Sequence, residues 1–298
     1  MVLRFKLRTE DRVSYDISKD QVEARIARNR PWFVAGTERR DDRHYAVCPW
    51  CDNPIQLKAL YRRDTIKRPH GSHTGKPQAG VGRFDLSRQL NCPYRLTRQP
   101  GAKDDRRPRS EDDRALIAFV RDEFDRIVLT LRRDLGVSFS NDAARRMLQS
   151  WFENSGFLYR HINFRNLPWM IVYLAVPLNL YRQKGFAEEI KASIQQKVSS
   201  AEFDQAGRLQ STAPWLALTL QPLHHRIRRD PDDRIEESMK LWIKDYSRTN
   251  DPSRAPLIHQ AVVTFDHDRF ERLVATPPDR ARRDDDLLEI ARQILGEP

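Results

Sequence analysis

The chain has 298 residues, of which 39% are hydrophobic and 32% charged, and its formal net charge is +11. This balance excludes a disordered chain and indicates a soluble globular protein with room for two or three compact units. The longest apolar run, residues 167–180, is shorter than the roughly 20 residues that a transmembrane helix needs, and Pro177 interrupts it. We therefore expect no contact with a membrane.

The first eight residues alternate apolar and basic types and contain no apolar segment, so we expect no signal peptide. The chain has three cysteines, an odd number that does not suit a disulfide framework. Together these features predict a reducing, cytoplasmic location. The richness in Arg and Asp suggests a bacterial source.

In the N-terminal segment, the alternation over residues 2–8 predicts a strand with one basic face. Ser18 and Gln21 fit the start of a short helix that carries Val22 and Ile26. Short strands are expected at residues 32–34 and 45–47. This segment, residues 1–47, leads directly into the first cysteine.

Residues 48–109 carry nearly the whole charge imbalance of the chain. Within them, residues 58–109 contain 14 Lys or Arg and four Asp, whereas the other 246 residues contain 39 basic and 38 acidic groups. The segment is rich in Pro, Gly and Arg, and we expect it to be irregular apart from one helix near residues 55–63. Such concentrated positive charge favours a polyanionic partner, with nucleic acid ranked first and an acidic membrane surface only second.

From residue 110 onward the periodicity becomes helical. Apolar residues at helical spacing predict four helices, which make residues 110–210 a helical domain. We expect these helices at residues 110–135, 141–155, 168–181 and 186–200.

The last segment, residues 211–298, combines strands and helices. Three runs with strand character predict an antiparallel meander with helices packed on one face, and Asp230–Asp233 forms a turn between the first two strands. The fold class is therefore α+β. It combines a small zinc-stabilised irregular or β module, a central helical domain and a C-terminal antiparallel meander with helices. The strands are expected at residues 216–220, 239–243 and 257–265, and the helices at 269–275 and 284–295.

All three cysteines lie in the basic segment, together with two histidines. Cys48 and Cys51 form a Cys-x2-Cys turn, Cys92 is the natural third ligand, and His73 or His70 is the fourth. Three thiolates and one imidazole are a ligand set for a structural zinc ion, and four protein ligands leave no open position for catalysis. The alternatives are a redox Cys-Pro-Trp-Cys motif and cysteines that are merely packed.

Aromatic residues interleave with arginines around these ligands. Arginine pairs with phosphate, and aromatic rings stack on unpaired bases, so this surface predicts binding to RNA or DNA. The predicted contacts are Arg62, Arg63, Lys67, Arg68, Arg83, Arg88, Arg95, Arg98, Trp50 and Tyr61.

These features favour a non-catalytic, zinc-stabilised nucleic-acid-binding subunit of a larger prokaryotic complex for nucleic-acid processing, defence or mobile-element function. Two alternatives stay open. One is an adaptor whose basic module binds a protein. The other is a metal-dependent nuclease that uses a C-terminal cluster, although its acids fall in a predicted turn. The cluster comprises His224, His225, Asp230, Asp232, Asp233, Glu236 and Glu237. The nearby Asp266-His267-Asp268 fits a helix cap better than a site.

Overall fold

The structure of the chain, a computed structural model, describes residues 1–61, 68–95, 99–110, 112–277 and 279–296. Their buried apolar side chains form two clusters, one drawn from the N-terminal third and one from the rest of the chain. Each cluster contains contributions from both helices and strands. This arrangement agrees with the predicted α+β class.

The N-terminal body is built around a four-stranded antiparallel sheet, β3-β4-β5-β6, in which each strand pairs with its neighbour in sequence. The segment before residue 48 packs into the same core as the cysteines. In chain order, the elements are β1 (Arg4–Phe5), β2 (Tyr15–Asp16), α1 (Lys19–Arg25), β3 (Phe33–Val34), β4 (Arg43–Val47), β5 (Pro54–Lys58), β6 (His70–His73) and α2 (Leu86–Leu90).

Two expectations for this body are wrong. The helix predicted near residues 55–63 is replaced at its start by β5, because Ile55 and Leu57 are buried in the sheet where β5 pairs with β4. The N-terminal strand has only two residues in β1, and Lys6, expected on its basic face, is 3% exposed. A backbone hydrogen bond from Lys6 to Val47 ties the chain to the sheet and carries that side chain inward.

The C-terminal body packs helices against one face of a second antiparallel sheet, with strand order β12-β11-β10-β7. The predicted meander is confirmed, with β7 added at its edge. The elements are α3 (Asp112–Asp134), α4 (Asn141–Glu153), α5 (Leu167–Leu174), β7 (Leu178–Asn179), α6 (Glu188–Lys197), β8 (Ala201–Phe203), β9 (Leu209–Ser211), β10 (Leu218–Arg229), β11 (Ile235–Asp245), β12 (Leu257–Thr264), α7 (His267–Ala275) and α8 (Asp285–Leu295).

The third predicted helix is shorter than expected. α5 ends at Leu174 rather than continuing to residue 181, because Pro177 cannot donate the hydrogen bond that a helix needs, and the chain turns into β7. α5 is still fully buried along its length, as its apolar run predicts. None of the helices in the described part of the chain is long and apolar enough to cross a bilayer.

Polar contacts join the two bodies. Arg229 of β10 donates to the carbonyl of Tyr94 at 2.5 Å, and the Gln99 side chain exchanges two hydrogen bonds with the Ile227 backbone, at 2.8 and 3.2 Å. Arg165, 5% exposed, donates to the Ser14 hydroxyl at 2.6 Å. The segment around Cys92 is thereby fixed against the C-terminal sheet.

Candidate metal centre and basic surfaces

The Cys48–Cys51 turn is a tight knuckle between β4 and β5. The Cys48 N–H donates to the carbonyl of Asn53 at 2.9 Å, and the Asp52 N–H donates back to the carbonyl of Cys48 at 3.0 Å. Asp52 adopts the left-handed conformation, with φ of 57°. Asp tolerates this region better than most residues, so the knuckle closes without glycine.

The other two candidate ligands come from β6 and from the end of α2. Residues three apart on a strand point to opposite faces, so His70 and His73 cannot both face the knuckle. His73 lies beside Cys51, with 3.2 Å between its Nε2 and the sulfur, whereas the Nδ1 of His70 lies 3.0 Å from the carbonyl of Arg68. Strand geometry therefore selects His73.

The four ligand atoms of Cys48, Cys51, His73 and Cys92 all lie within 4.8 Å of one another. The sulfurs of Cys48 and Cys92 are 3.8 Å apart. Two sulfurs bound tetrahedrally to one zinc ion with Zn–S bonds of about 2.3 Å would be about 3.8 Å apart. The donor set and its spacing thus fit a metal ion.

The electrostatics of the three thiols point the same way. Burial disfavours the Cys48 thiolate, but hydrogen bonds from Cys51 and Cys92 outweigh it and lower the pKa of Cys48 well below its ordinary value. Burial raises the pKa of Cys51, and it raises that of Cys92 well above the usual range. The protein alone therefore favours one thiolate, and a cation would be needed to stabilise all three.

Asn53 holds the two halves of the site together. Its side chain is 1% exposed, donates to the carbonyl of Asp85 at 3.0 Å and accepts from the Asp85 N–H at 2.7 Å. Asp85 caps α2, which leads into Cys92. No pattern in the sequence indicates this role, because the hydrogen bonds join residues 32 positions apart.

Asp52 anchors the knuckle to the N-terminus. Its carboxylate lies 2.5 Å from the ammonium of Lys6 and 2.7 Å from the guanidinium of Arg88. Lys6 also donates to the carbonyl of Thr9 at 2.7 Å. A buried ammonium is costly without an anionic partner, so the ion pair with Asp52 holds Lys6 against the knuckle.

The redox alternative lacks its structural setting. Redox Cys-x2-Cys motifs place the first thiol at a helix N-terminus, which lowers its pKa. Here Cys51 leads into β5, an acid follows it at Asp52, and Cys92 adds a third thiol beside the pair.

The predicted nucleic-acid contacts fall into four groups: residues outside the described ranges, a buried ring, ion-paired arginines and exposed side chains. Arg62, Arg63, Lys67 and Arg98 lie outside the described residues. Trp50 is 6% exposed, with its ring 4.8 Å from the His267 ring and 4.8 Å from the guanidinium carbon of Arg165. Because it is enclosed there, Trp50 is a core residue and is not available to stack on a base. Tyr61, 55% exposed, remains accessible.

Acids from elsewhere in the chain neutralise part of the basic segment. Arg88 pairs with Asp52, and Arg68 lies 3.6 Å from Asp233 of the C-terminal hairpin. Arg83 and Arg95 are exposed. The net positive charge at this surface is therefore smaller than the charge counted over residues 58–109 of the sequence.

The C-terminal His/Asp/Glu cluster does not form one site. Asp230 accepts a hydrogen bond from the Arg234 N–H at 2.8 Å and closes the hairpin turn, as its sequence predicts. Glu237 instead points into the core, where it is 0% exposed and its carboxylate lies 2.6 Å from His225 and 2.9 Å from His267. Asp266 caps α7, as expected.

Glu237 is the centre of a buried polar network that the sequence did not reveal. Burial opposes its charge, but hydrogen bonds from His225 and His267 lower the pKa of Glu237 to about 2. Asn166 donates a third hydrogen bond at 2.8 Å, and the Tyr159 hydroxyl lies 3.2 Å from the other ring nitrogen of His225. These contacts satisfy the carboxylate internally, so it is not poised to bind metals for catalysis.

No protein-family model matches the chain, and no curated protein or solved structure is significantly similar to it. The site residues alone therefore carry the functional argument.

Proposed function

We propose that this chain is a nucleic-acid-binding protein whose N-terminal body is held in shape by a structural zinc ion. The observation that carries the proposal is the convergence of four zinc-type ligand atoms within 4.8 Å, inside the segment that carries most of the net charge. Cys48, Cys51, His73 and Cys92 would bind the ion. Zinc would compensate the buried thiolates and join the knuckle to β6 and α2.

The charge supports the second half of the proposal. A chain with net charge +11 attracts polyanions, and cations that bind phosphates release counterions from the nucleic acid. The role is binding rather than catalysis, because four protein ligands would fill a tetrahedral shell and Glu237 is satisfied within the core.

Binding of labelled RNA, single-stranded DNA and duplex DNA across a salt series tests this function. The protein is first freed of copurified nucleic acid, and its zinc content is measured by mass spectrometry. We expect one zinc ion per chain and an affinity that falls linearly on a log–log plot against salt. Absence of binding to all three probes at low salt would refute the nucleic-acid role, and a zinc-free folded protein would refute the metal role.

A further inference from the structure

The C-terminal sheet has one face that no described element covers. On β11, Leu241 and its alternating neighbours face the core, whereas Lys240 and Trp242 face the other side. Val262, which pairs with Lys240 in register, is 67% exposed. An antiparallel sheet with one face on the core leaves its other face to solvent or to a partner.

This outer face is basic. Arg226 and Arg228 on β10 are exposed, and Lys240 lies beside them on β11. None of the three has an ion pair with a described carboxylate, in contrast to Arg68 and Arg88 of the N-terminal body. The register places a single acid, Glu236, among them. The surface therefore favours an anionic ligand.

An aromatic ring lies within the basic face. The Lys244 ammonium is 5.3 Å from the centre of the Trp242 ring, and the His224 ring meets it edge-on at 6.0 Å. The indole nitrogen of Trp242 has no hydrogen-bond partner among the described residues. A partly exposed indole on a basic face is a surface on which unpaired bases stack.

A β-bulge between Leu223 and Arg226 sets the direction of two histidines. His224 has φ of 54°, a left-handed conformation that few residues other than glycine adopt. Its ring thereby lies on Trp242 at the outer face, while His225 turns inward to Glu237. The hydrogen bond from His225 to Glu237 thus stabilises the bulge, and the bulge places His224 on the outer face.

The outer face continues into a cleft along the edge of β10 beyond its pairing with β7. A groove of about 290 Å³ over the sheet and a cleft of about 700 Å³ beside it share His224, Arg226 and Arg228. The far wall of the cleft is residues 99–103, and the Lys103 ammonium lies 4.6 Å from the centre of the Tyr173 ring. A flexible polyanion can follow this path, with cations on both sides.

We propose that the outer face of the C-terminal sheet and this cleft bind single-stranded nucleic acid. Phosphates contact Arg226, Arg228 and Lys240, and an unpaired base stacks on Trp242. A duplex keeps its bases paired and cannot offer one to the indole, so the surface prefers single strands. This inference rests on the proposed function and assigns it to a surface outside the zinc module.

The test is fluorescence anisotropy with labelled 15-nucleotide single strands, and with a duplex of the same length, across a salt series. Replacing Arg226, Arg228 and Lys240 together by serine should reduce affinity at least tenfold and lower the log–log salt slope by about 2, since each single-strand phosphate contact contributes about 0.7. Trp242→Ile should reduce affinity roughly 5- to 150-fold and leave the slope unchanged, because stacking releases no counterions.

A matched variant removes three exposed charges from the N-terminal body by replacing Arg43, Lys58 and Lys76 with serine. This variant should bind nearly as the wild type does. If it loses binding while the sheet variants keep it, the inference is overturned and the proposed function stands. If the wild type binds no nucleic acid, the proposed function itself fails.

A measurement on the unaltered protein guards against variants that do not fold. A single strand carrying thiouridine is cross-linked to the wild type by light, and the attached peptides are identified by mass spectrometry. We expect cross-links within residues 218–245. Cross-links confined to residues 43–95 would contradict the assignment.

Discussion

His161 should make the protein lose stability in mild acid. Its side chain is buried, with its ring 5.7 Å from the Tyr159 ring and 6.4 Å from the His225 ring, and its Nδ1 has no hydrogen-bond partner among the described residues. Burial, aided by the nearby His225, lowers the pKa of His161 to about 4. In the unfolded chain a histidine has a pKa of about 6.5.

The sign and size of the effect follow from these two values. Between pH 6.5 and pH 4, the unfolded chain binds a proton at His161 that the folded chain refuses, so the free energy of unfolding falls as pH falls. At about 1.4 kcal/mol for each unit of pH, the full loss is about 3 kcal/mol, and it is absent above pH 7.

His161→Phe keeps a ring in the same space and removes the titration. Urea unfolding, followed by tryptophan fluorescence, is measured for both proteins at pH 7.5 and at pH 4.5. From the higher to the lower pH, the free energy of unfolding of the variant should fall by about 2–3 kcal/mol less than that of the wild type. Groups common to both proteins, including the four candidate metal ligands, cancel in this difference. An equal fall in the two proteins would refute the reasoning.

Three further predictions concern the metal centre and the two buried ion networks. Cys92→Ser should release the proposed zinc ion and lower the melting temperature. His70→Asn changes the histidine outside the cluster and should keep the full metal content; mass spectrometry of the purified proteins measures both. Asp52→Asn keeps a residue that tolerates positive φ but leaves Lys6 without its carboxylate, and it should cost about 3–5 kcal/mol in urea unfolding. Glu237→Ala leaves its buried donors unsatisfied and should cost a similar amount, about 3–5 kcal/mol; an unchanged urea midpoint would contradict the role of this network.

Periodic patterns allowed much of the fold to be predicted. The long helices, the three strands of the meander and the cap at Asp266 are local features, and apolar spacing or a single capping side chain is enough to specify each. Residues 54–58 are the counterexample. Their short apolar run suits a helix or a strand equally, and only pairing with β4 decides for the strand.

The sequence by itself determined which residue types could bind a metal, because three cysteines in one segment leave few choices. The tertiary structure decided between the two histidines, since strand alternation turns His73 toward Cys51 and His70 away. It also decided which charges are free. Carboxylates distant in sequence pair with Arg68 and Arg88. Arg226, in contrast, lies on the uncovered face of the C-terminal sheet, beside the groove over β10 and β11. Charge and ligand type are properties of single residues and can be read from the sequence. The burial of a side chain, its ion-pair partner and its orientation depend on which distant segments the fold brings together.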